Sequence, residues 1–571
     1  MSGLIAFTGP PDPKLRQRML ATLAHRGEPV PNPIETAIGT IAVCRLSQAA
    51  PVGQTQTSCF DDDQKPFAFA GFLFNEVPRE KSISNLSQLR GSFGFAFFSG
   101  DCLTIGRDPT GCQSLSFGRI ANQWLVATEP KAFTSEKRFQ CTLRPSAIAL
   151  YLSCSFVPGS DTALENLYEL PAGHIAELRP GCDPVISRYF NFEDDEFDPK
   201  STDRISDADW IQRTRQNIEH AVAERMPSEP RAVFLSGGLD SSIIAAEVAK
   251  QSKHPIETFS IHFGKRYPNE LNYARAVAEK IGSIHHEVEI KPRQFIQRFR
   301  SMIWHLDAPI GDPITQPNFE LARIVGERFG HVFNGEGGDP LFGGPKNIGM
   351  LLSHWYGGTR KANYRERAYL QSYRRAWTEL RHLLTDDLLQ QMDGERDVEG
   401  VFTPFFTAEK PKSFLNKLMA INIKLKGADL ILPKVDRMLA AHSTTPLSPL
   451  FDDRLTKLSF QMPPTMKLRQ GIEKFVIKET YRDSLPIEII NRPKSGMRVP
   501  VHYWFQREMR RYAKSVLSRR RLKRAGIFNP DRVQQMLKYE TQQANGRYGL
   551  RLWMLLTFEV WRRIVVDRES V

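Results

Sequence analysis

The sequence predicts an α/β protein in two parts: a β-rich first part and a second part built on a parallel sheet covered by helices. Three observations carry this reading. Residues 1–190 read as short strands punctuated by Gly, Pro and Asp. From residue 230 strand and helix patterns alternate, which implies parallel strands with helices on both faces. After about residue 345 the pattern is mostly helical. A chain of 571 residues is long enough for more than one hydrophobic core.

In the first part the strand candidates are IGTIAVCRLS (38–47), PFAFAGFLFNEV (66–77), GSFGFAFFSGDCLTIGRD (91–108) and QWLVATE (123–129). β-Branched and aromatic residues recur in them, so two packed sheets are expected. The acidic, turn-rich run FNFEDDEFDPKSTDRISDAD (190–209) reads as a connector, giving parts at 1–190 and 210–571 with a linker at 191–209. A helix follows, with Ile211, Ile218, Val222 and Met226 on one face.

In the second part strands are expected at 231–235, 256–261, 285–290 and 331–334. Helices are expected at 241–250, 271–281, 293–305 and 316–329. Ligands on such sheets sit beyond the carboxyl ends of the strands. The loop Ser236-Gly237-Gly238-Leu239-Asp240-Ser241-Ser242 follows the first strand at that edge. A helix start offers unpaired N–H groups and a positive dipole end, and glycines admit close approach, so the expected ligand is a phosphate. The hydroxyls at 236, 241 and 242 can donate to it. Asp240 would repel phosphate unless Mg²⁺ lies between them. No Gly-Lys-Ser/Thr closes the loop, so it is not a Walker motif. Asn334-Gly335-Glu336-Gly337-Gly338-Asp339 follows the fourth strand, and the two loops can meet over one crevice.

Composition narrows the classes further. Hydrophobic content of 41% and charged content of 25% are those of a soluble globular chain. No stretch reaches the ~18–20 apolar residues of a membrane span. The start MSGLIAFTGPPDPKL lacks the layout of a secretory signal, so a cytoplasmic location is expected. The 7 cysteines lie in the first third without metal spacing, which suggests reduced thiols and no zinc. Net charge is +13, with basic aromatic-bearing stretches at 359–382 and 507–526. Either could bind nucleic acid, but a solvated helix face is the preferred reading.

LSGGLDSS resembles the pyrophosphatase loop of the asparagine synthetase (class B) family, whose members activate a carboxylate as an acyl-adenylate. TFSIHF (258–263), NELNYARAVAEKIGSIHHEVEI (269–290), DAPIGDPITQP (307–317), NGEGGDPLFGG (334–344), KVDRMLAAHS (434–443) and NRPKSGMRVPVHYWF (491–505) match in order. So do AHRGEP (24–29), GRDPTG (106–111) and ELPAGH (169–174) near the start. The resemblance implies an αββα Ntn glutaminase-like domain and an adenine-nucleotide-hydrolase-like (PP-loop) synthetase domain. It implies ATP on Leu235, Ser236, Gly237, Gly238, Leu239, Asp240, Ser241, Ser242, Ile261 and Gly335, and Mg²⁺ on Asp240 and Asp339. It gives Lys494 the charge developing on the transferred phosphoryl group, Glu336 substrate handling or proton removal, and Asp436 a catalytic role.

The departures shape the functional expectation. Glutamine-hydrolysing members begin Met-Cys-Gly, whereas this chain reads Met1-Ser2-Gly3, and a serine hydroxyl is a far weaker nucleophile than a thiolate. The family's Asn-Gly-Glu glutamine pocket is here Ala70-Gly71-Phe72; Arg45 matches but lacks these partners. An inactive glutaminase is expected. In HSTTPLSPLFDD (442–453), Thr445 and Leu447 stand where the family has Glu and Arg, which puts aspartate as the substrate in doubt. Ala308 and Pro340 likewise replace acids. An amide ligase without a glutaminase finds its amine elsewhere. β-Lactam synthetases and lasso peptide cyclases use an amine on the substrate itself. Macrolactam closure of a peptide is therefore the preferred expectation, with a leader-peptide-binding protein and a peptidase as candidate partners. Asparagine synthesis from ammonia and a silent ATP-binding scaffold are the alternatives.

Overall fold

The computed structural model describes residues 2–46, 55–56, 59–60, 67–78, 80–197, 205–228, 231–356, 363–493, 496–539 and 547–571. In the first part, the strand Gly3–Thr8 is buried at every position. Alternation sorts its side chains between two layers. Leu4 and Ala6 join Ala68, Ala70, Ala96 and Ile105 between two sheets. Ile5 and Phe7 join Leu15 and Met19 of helix Pro13–Thr22 and Ile148 of helix Pro145–Cys154.

Both sheets are antiparallel. One runs Leu167–Glu169, Ser116–Ile120, Gln123–Ala127, Gly3–Thr8, Gly39–Arg45 and Glu28–Pro29, with Ile34–Thr36 also on Gly39–Arg45. The other runs Val185–Arg188, His174–Leu178, Cys102–Arg107, Gly91–Ser99, Phe67–Leu73 and Thr55–Gln56, with Cys59–Phe60 also on Phe67–Leu73. Its outer face carries Phe67, Phe69, Phe93, Phe95 and Phe97 beneath Leu86 and Leu89. The layering is thus αββα. The stretch 91–108 folds as a hairpin because Gly100 and Asp101 turn the chain between Ser99 and Cys102.

The second part holds a five-stranded parallel sheet. Its first strand, Ala232–Phe234, lies in the middle. Glu257–His262 and Ile284–Glu289 extend to one side, His331–Phe333 and Thr445–Leu447 to the other. The winding reverses at the central strand, and a crevice opens at its carboxyl end. The fifth strand was not expected. It is three residues long, contains Pro446, and sits in a Thr-Thr-Pro-Leu-Ser-Pro run that reads as a turn.

The two parts share one buried surface. Phe133 and Tyr151 join Trp504 and Trp553 in a single cluster, and the Tyr151 hydroxyl donates to the Met554 carbonyl at 2.7 Å. Arg107 is fully buried and donates to carbonyls of its own part and, at 2.9 Å, to that of Ala428. The supposed linker is partly docked. Phe192 is buried with its ring 4.9 Å from Phe460, and Glu193 accepts from Lys424 at 2.7 Å. Residues 198–204 of the linker lie outside the described residues. The next helix starts earlier than expected, at Asp207, because Ser206 and Asp209 form a capping box.

Tyr369, Tyr373 and Trp377 of the first basic stretch are buried, and Tyr512 of the second packs edge-on to Phe299 at 5.8 Å. Residues 359–362 of the first stretch lie outside the described residues. Cys44, Cys102, Cys112 and Cys154 are free and buried. No helix among the described residues is long and apolar enough to cross a membrane.

Arg26, like Arg107, is a fully buried charge at the interface. It is wholly inaccessible, donates to Glu129, and holds Asp436 across the interface through two bonds of 2.7 and 3.3 Å. Arg26→Met strands the Asp436 carboxylate without a counter-ion. It should cost about 3–5 kcal/mol of stability, read from urea unfolding followed by tryptophan fluorescence.

Candidate active site

The loop after the central strand is fixed by its own hydroxyls. Ser236 Oγ accepts the Gly238 N–H at 3.3 Å and pairs with Ser241 Oγ at 2.9 Å, and Ser241 Oγ accepts the Ser236 N–H at 3.1 Å. Gly237 has φ +72°, and a Cβ there would lie 2.6 Å from the Ala274 nitrogen. Helix Leu239–Lys250 begins at once, with Gly238 as its N-cap and Asp240 in its first turn. The anion-binding end of the helix therefore faces the crevice.

The second loop, Asn334–Asp339, closes against the first. Asn334 is buried, donates to the Leu447 carbonyl and Ser448 Oγ at 3.2 and 2.9 Å, and accepts the Glu336 N–H at 3.1 Å. A Cβ on Gly338 would lie 2.1 Å from Asp240 Oδ1, so only glycine lets that carboxylate settle over this loop.

The two loops bring Asp240 and Asp339 to one point. A third element completes it. The hairpin Leu468–Arg469/Ile472–Glu473 ends on Lys474, whose side chain is 2% exposed. Its Nζ lies 2.8 and 2.6 Å from the two oxygens of Asp240 and 2.5 Å from Asp339 Oδ1. Two carboxylates beside a phosphate-binding loop are a donor set that Mg²⁺ takes together with nucleotide phosphates. Asp240 and Asp339 fit that ion. Among the described residues no group of three or more His, Cys, Asp and Glu could hold a metal by itself.

A cavity of about 400 Å³ opens here, lined by Leu235, Ser236, Gly238, Asp240, Ser241, Ile261, Gly335, Glu336 and Asp339. The opposite wall is one long helical segment, wound as a π-helix over Asn422–Ile431 and as an α-helix over Leu432–Ala440. Lys426, Lys434, Val435, Met438 and Leu439 face the cavity. Lys434 pairs with Asp312 at 2.9 Å. Burial opposes the charge on Lys434, but Asp312 and Glu336 outweigh it and raise the pKa. Burial pushes the Lys426 ammonium pKa down, against the pull of Asp339 and Glu336. A cationic wall thus faces an acidic loop pair. A larger cavity, about 730 Å³, lies on the other side of the same segment between the two parts. Asp161, Arg188, Phe405, Lys424 and Asp429 are among the residues lining it.

Several expected site residues are placed elsewhere. Asp436 does not line the cavity. It lies two residues, over half a helical turn, from Lys434, and that face meets Arg26. Ser242 is fully buried and donates to the Gly238 carbonyl at 2.8 Å, so its hydroxyl serves the helix start rather than a ligand. The Leu239 side chain packs on the core behind the loop. Gly237 turns its carbonyl to Arg492 at 3.0 Å. Lys494 lies outside the described residues. On its two sides, Arg492 holds the Gly237 carbonyl and stacks 3.9 Å over Tyr273, while Gly496 and Met497 line the cavity. Thr445 and Leu447 are buried in the fifth strand. Sequence reasoning missed Lys474, Lys426, Lys434 and Asp312. Lys434 and Asp312 stood inside quoted stretches; nothing in the local pattern marks Lys474.

The chain matches the family profile of asparagine synthase over residues 213–563 and that of a glutamine amidotransferase domain over residues 76–190. It is 25% identical over 511 residues to asparagine synthetase [glutamine-hydrolyzing] 1 of Bacillus subtilis, covering 85% of this chain and 79% of that one. It is 26% identical over 520 residues to a putative glutamine-hydrolyzing asparagine synthetase of Mycobacterium tuberculosis, covering 85% and 78%. Amidase chry2 of Gibberella zeae is 28% identical over 284 residues, which is 46% of this chain and 41% of the amidase.

The geometry separates two aspartates. Asp240→Asn should weaken binding of a non-hydrolysable ATP analogue with Mg²⁺ at least about tenfold in calorimetry, ~1.4 kcal/mol or more. Asp436→Asn should leave that affinity within about twofold, since Asp436 faces Arg26.

Proposed function

Because the chain belongs to the asparagine synthase family of ATP-dependent, AMP-forming amide ligases, we propose that it joins a carboxylate to an amine of the same peptide, closing a macrolactam, without taking nitrogen from glutamine. The observation that carries the second half is in the first part. Strand Phe67–Leu73 presents buried Ala70 and Phe72, which offer neither an amide nor a carboxylate to a glutamine. Ser2 is 4% exposed, and its hydroxyl accepts the Gly71 N–H at 2.6 Å. The αββα part then acts as scaffold.

The chemistry follows from the cavity. Ser236, Ser241 and the start of helix Leu239–Lys250 hold nucleotide phosphates, and Leu235 and Ile261 border the base. Asp240 and Asp339 would hold Mg²⁺, which supplies charge neutralisation of the phosphates when bound. A substrate carboxylate oxygen attacks the α-phosphorus and pyrophosphate leaves. The amine nitrogen then attacks the acyl carbon, AMP leaves, and the amine gives up a proton to a base such as the Glu336 carboxylate. Lys426 and Lys434 set positive charge where negative charge builds up. The cavity of about 730 Å³ beside the same helical segment supports a substrate larger than an amino acid. A partner that delivers the peptide and a peptidase that frees its amine fit this reading.

The second reading is aspartate amidation with ammonia. The printed names of the Bacillus and Mycobacterium relatives favour it. ATP–pyrophosphate exchange separates the two. Exchange with an amine-blocked acidic peptide should exceed that with free aspartate at least about tenfold. Exchange with aspartate alone, and asparagine formed on adding ammonium, would replace macrolactam closure by the second reading.

A further inference from the structure

Lys474 sits where a divalent ion would be expected. Its ammonium donates to both oxygens of Asp240, at 2.8 and 2.6 Å, and forms an ion pair with Asp339 Oδ1 at 2.5 Å. The side chain is buried, with Asp240 7% exposed as a residue. Two carboxylates held this close need a cation between them, and the ammonium provides it from within the chain. The backbone that carries it is pinned. Lys474 has φ +57°, ends the hairpin turned by Gln470 and Gly471, and begins helix Phe475–Thr480. The long side chain is the movable member.

We propose that Lys474 is the resident counter-ion of the Asp240–Asp339 pair, so that a divalent cation gains these aspartates only together with nucleotide phosphates, which receive the displaced ammonium. This rests on the reading that the cavity takes a Mg²⁺–nucleotide. A free divalent ion entering alone would have to drive a buried ammonium off its partners and leave it unpaired. Phosphates entering beside Ser236 and Ser241 offer it new acceptors in the same crevice. Metal and nucleotide therefore bind with positive coupling, each raising the affinity of the other by the same factor. Until the nucleotide arrives, the ammonium also preserves the geometry of the two loops by cancelling the repulsion between their acids.

The test is Mn²⁺ binding followed by electron paramagnetic resonance, with no carboxylate substrate present. Without nucleotide the wild-type protein should bind Mn²⁺ weakly, and Lys474→Met should bind it at least about tenfold more tightly, because the occupied fraction of the site no longer reduces the apparent affinity. Lys474→Arg keeps the positive charge and should stay weak. With a non-hydrolysable ATP analogue the wild-type protein should bind Mn²⁺ tightly. A folded Lys474→Met variant no tighter than wild type would overturn the proposal. So would tight Mn²⁺ binding to nucleotide-free wild type that is lost in Asp339→Asn, a measurement that stands even if Lys474→Met does not fold. Coupled Mn²⁺ and nucleotide binding in a protein that activates no carboxylate would leave this proposal intact and remove the ligase reading.

Discussion

Two like charges held together by the fold set the terms for everything else in this molecule. Asp240 belongs to the crossover after the central strand and Asp339 to the crossover after its neighbour, and the sheet aims both at one crevice. The winding reverses at the central strand, so these two loops cannot avoid each other. Gly338 makes the approach sterically possible and Lys474 makes it electrostatically possible. The serine hydroxyls that shape the phosphate loop bond to one another and to the loop backbone. They are preorganised before any ligand arrives.

The helical segment from Asn422 to Ala440 joins the parts of the molecule. Lys426 and Lys434 face the nucleotide cavity, Lys424 and Asp429 face the larger one, and Asp436 reaches Arg26. Arg107 and the Gly159 N–H bind the same segment from the first part, through the Ala428 carbonyl and Asp429 Oδ2. The αββα part thus holds a wall of the site even where its strand Phe67–Leu73 lacks the groups a glutamine would need. Ten residues wound as a π-helix re-aim the side chains on this wall, a local distortion that recurs at functional sites.

The parallel sheet and the phosphate loop were legible because they are local. A strand, two glycines and a helix start leave a continuous signature over residues 233–250, and the alternation that follows repeats it. The fifth strand was illegible because Pro446 and its neighbours carry turn chemistry, and only pairing with His331–Phe333 makes them a strand. Asp436 was misplaced because a motif gives the sequence position of a residue but not the face of the helix it occupies. Its contact with Arg26 spans 410 positions in the chain. Lys474 was missed for the same reason. Its partner Asp240 is 234 positions away, and a buried lysine looks like a surface lysine until the carboxylates around it are known.

The most direct measurement is a crystal structure of the protein with Mn²⁺ and a non-hydrolysable ATP analogue, with the ion located from its anomalous scattering. The account predicts one ion bridging Asp240, Asp339 and the phosphates, with the Lys474 ammonium moved onto phosphate oxygen. An ion bound away from either aspartate, or Lys474 still seated between them with the nucleotide in place, would contradict it.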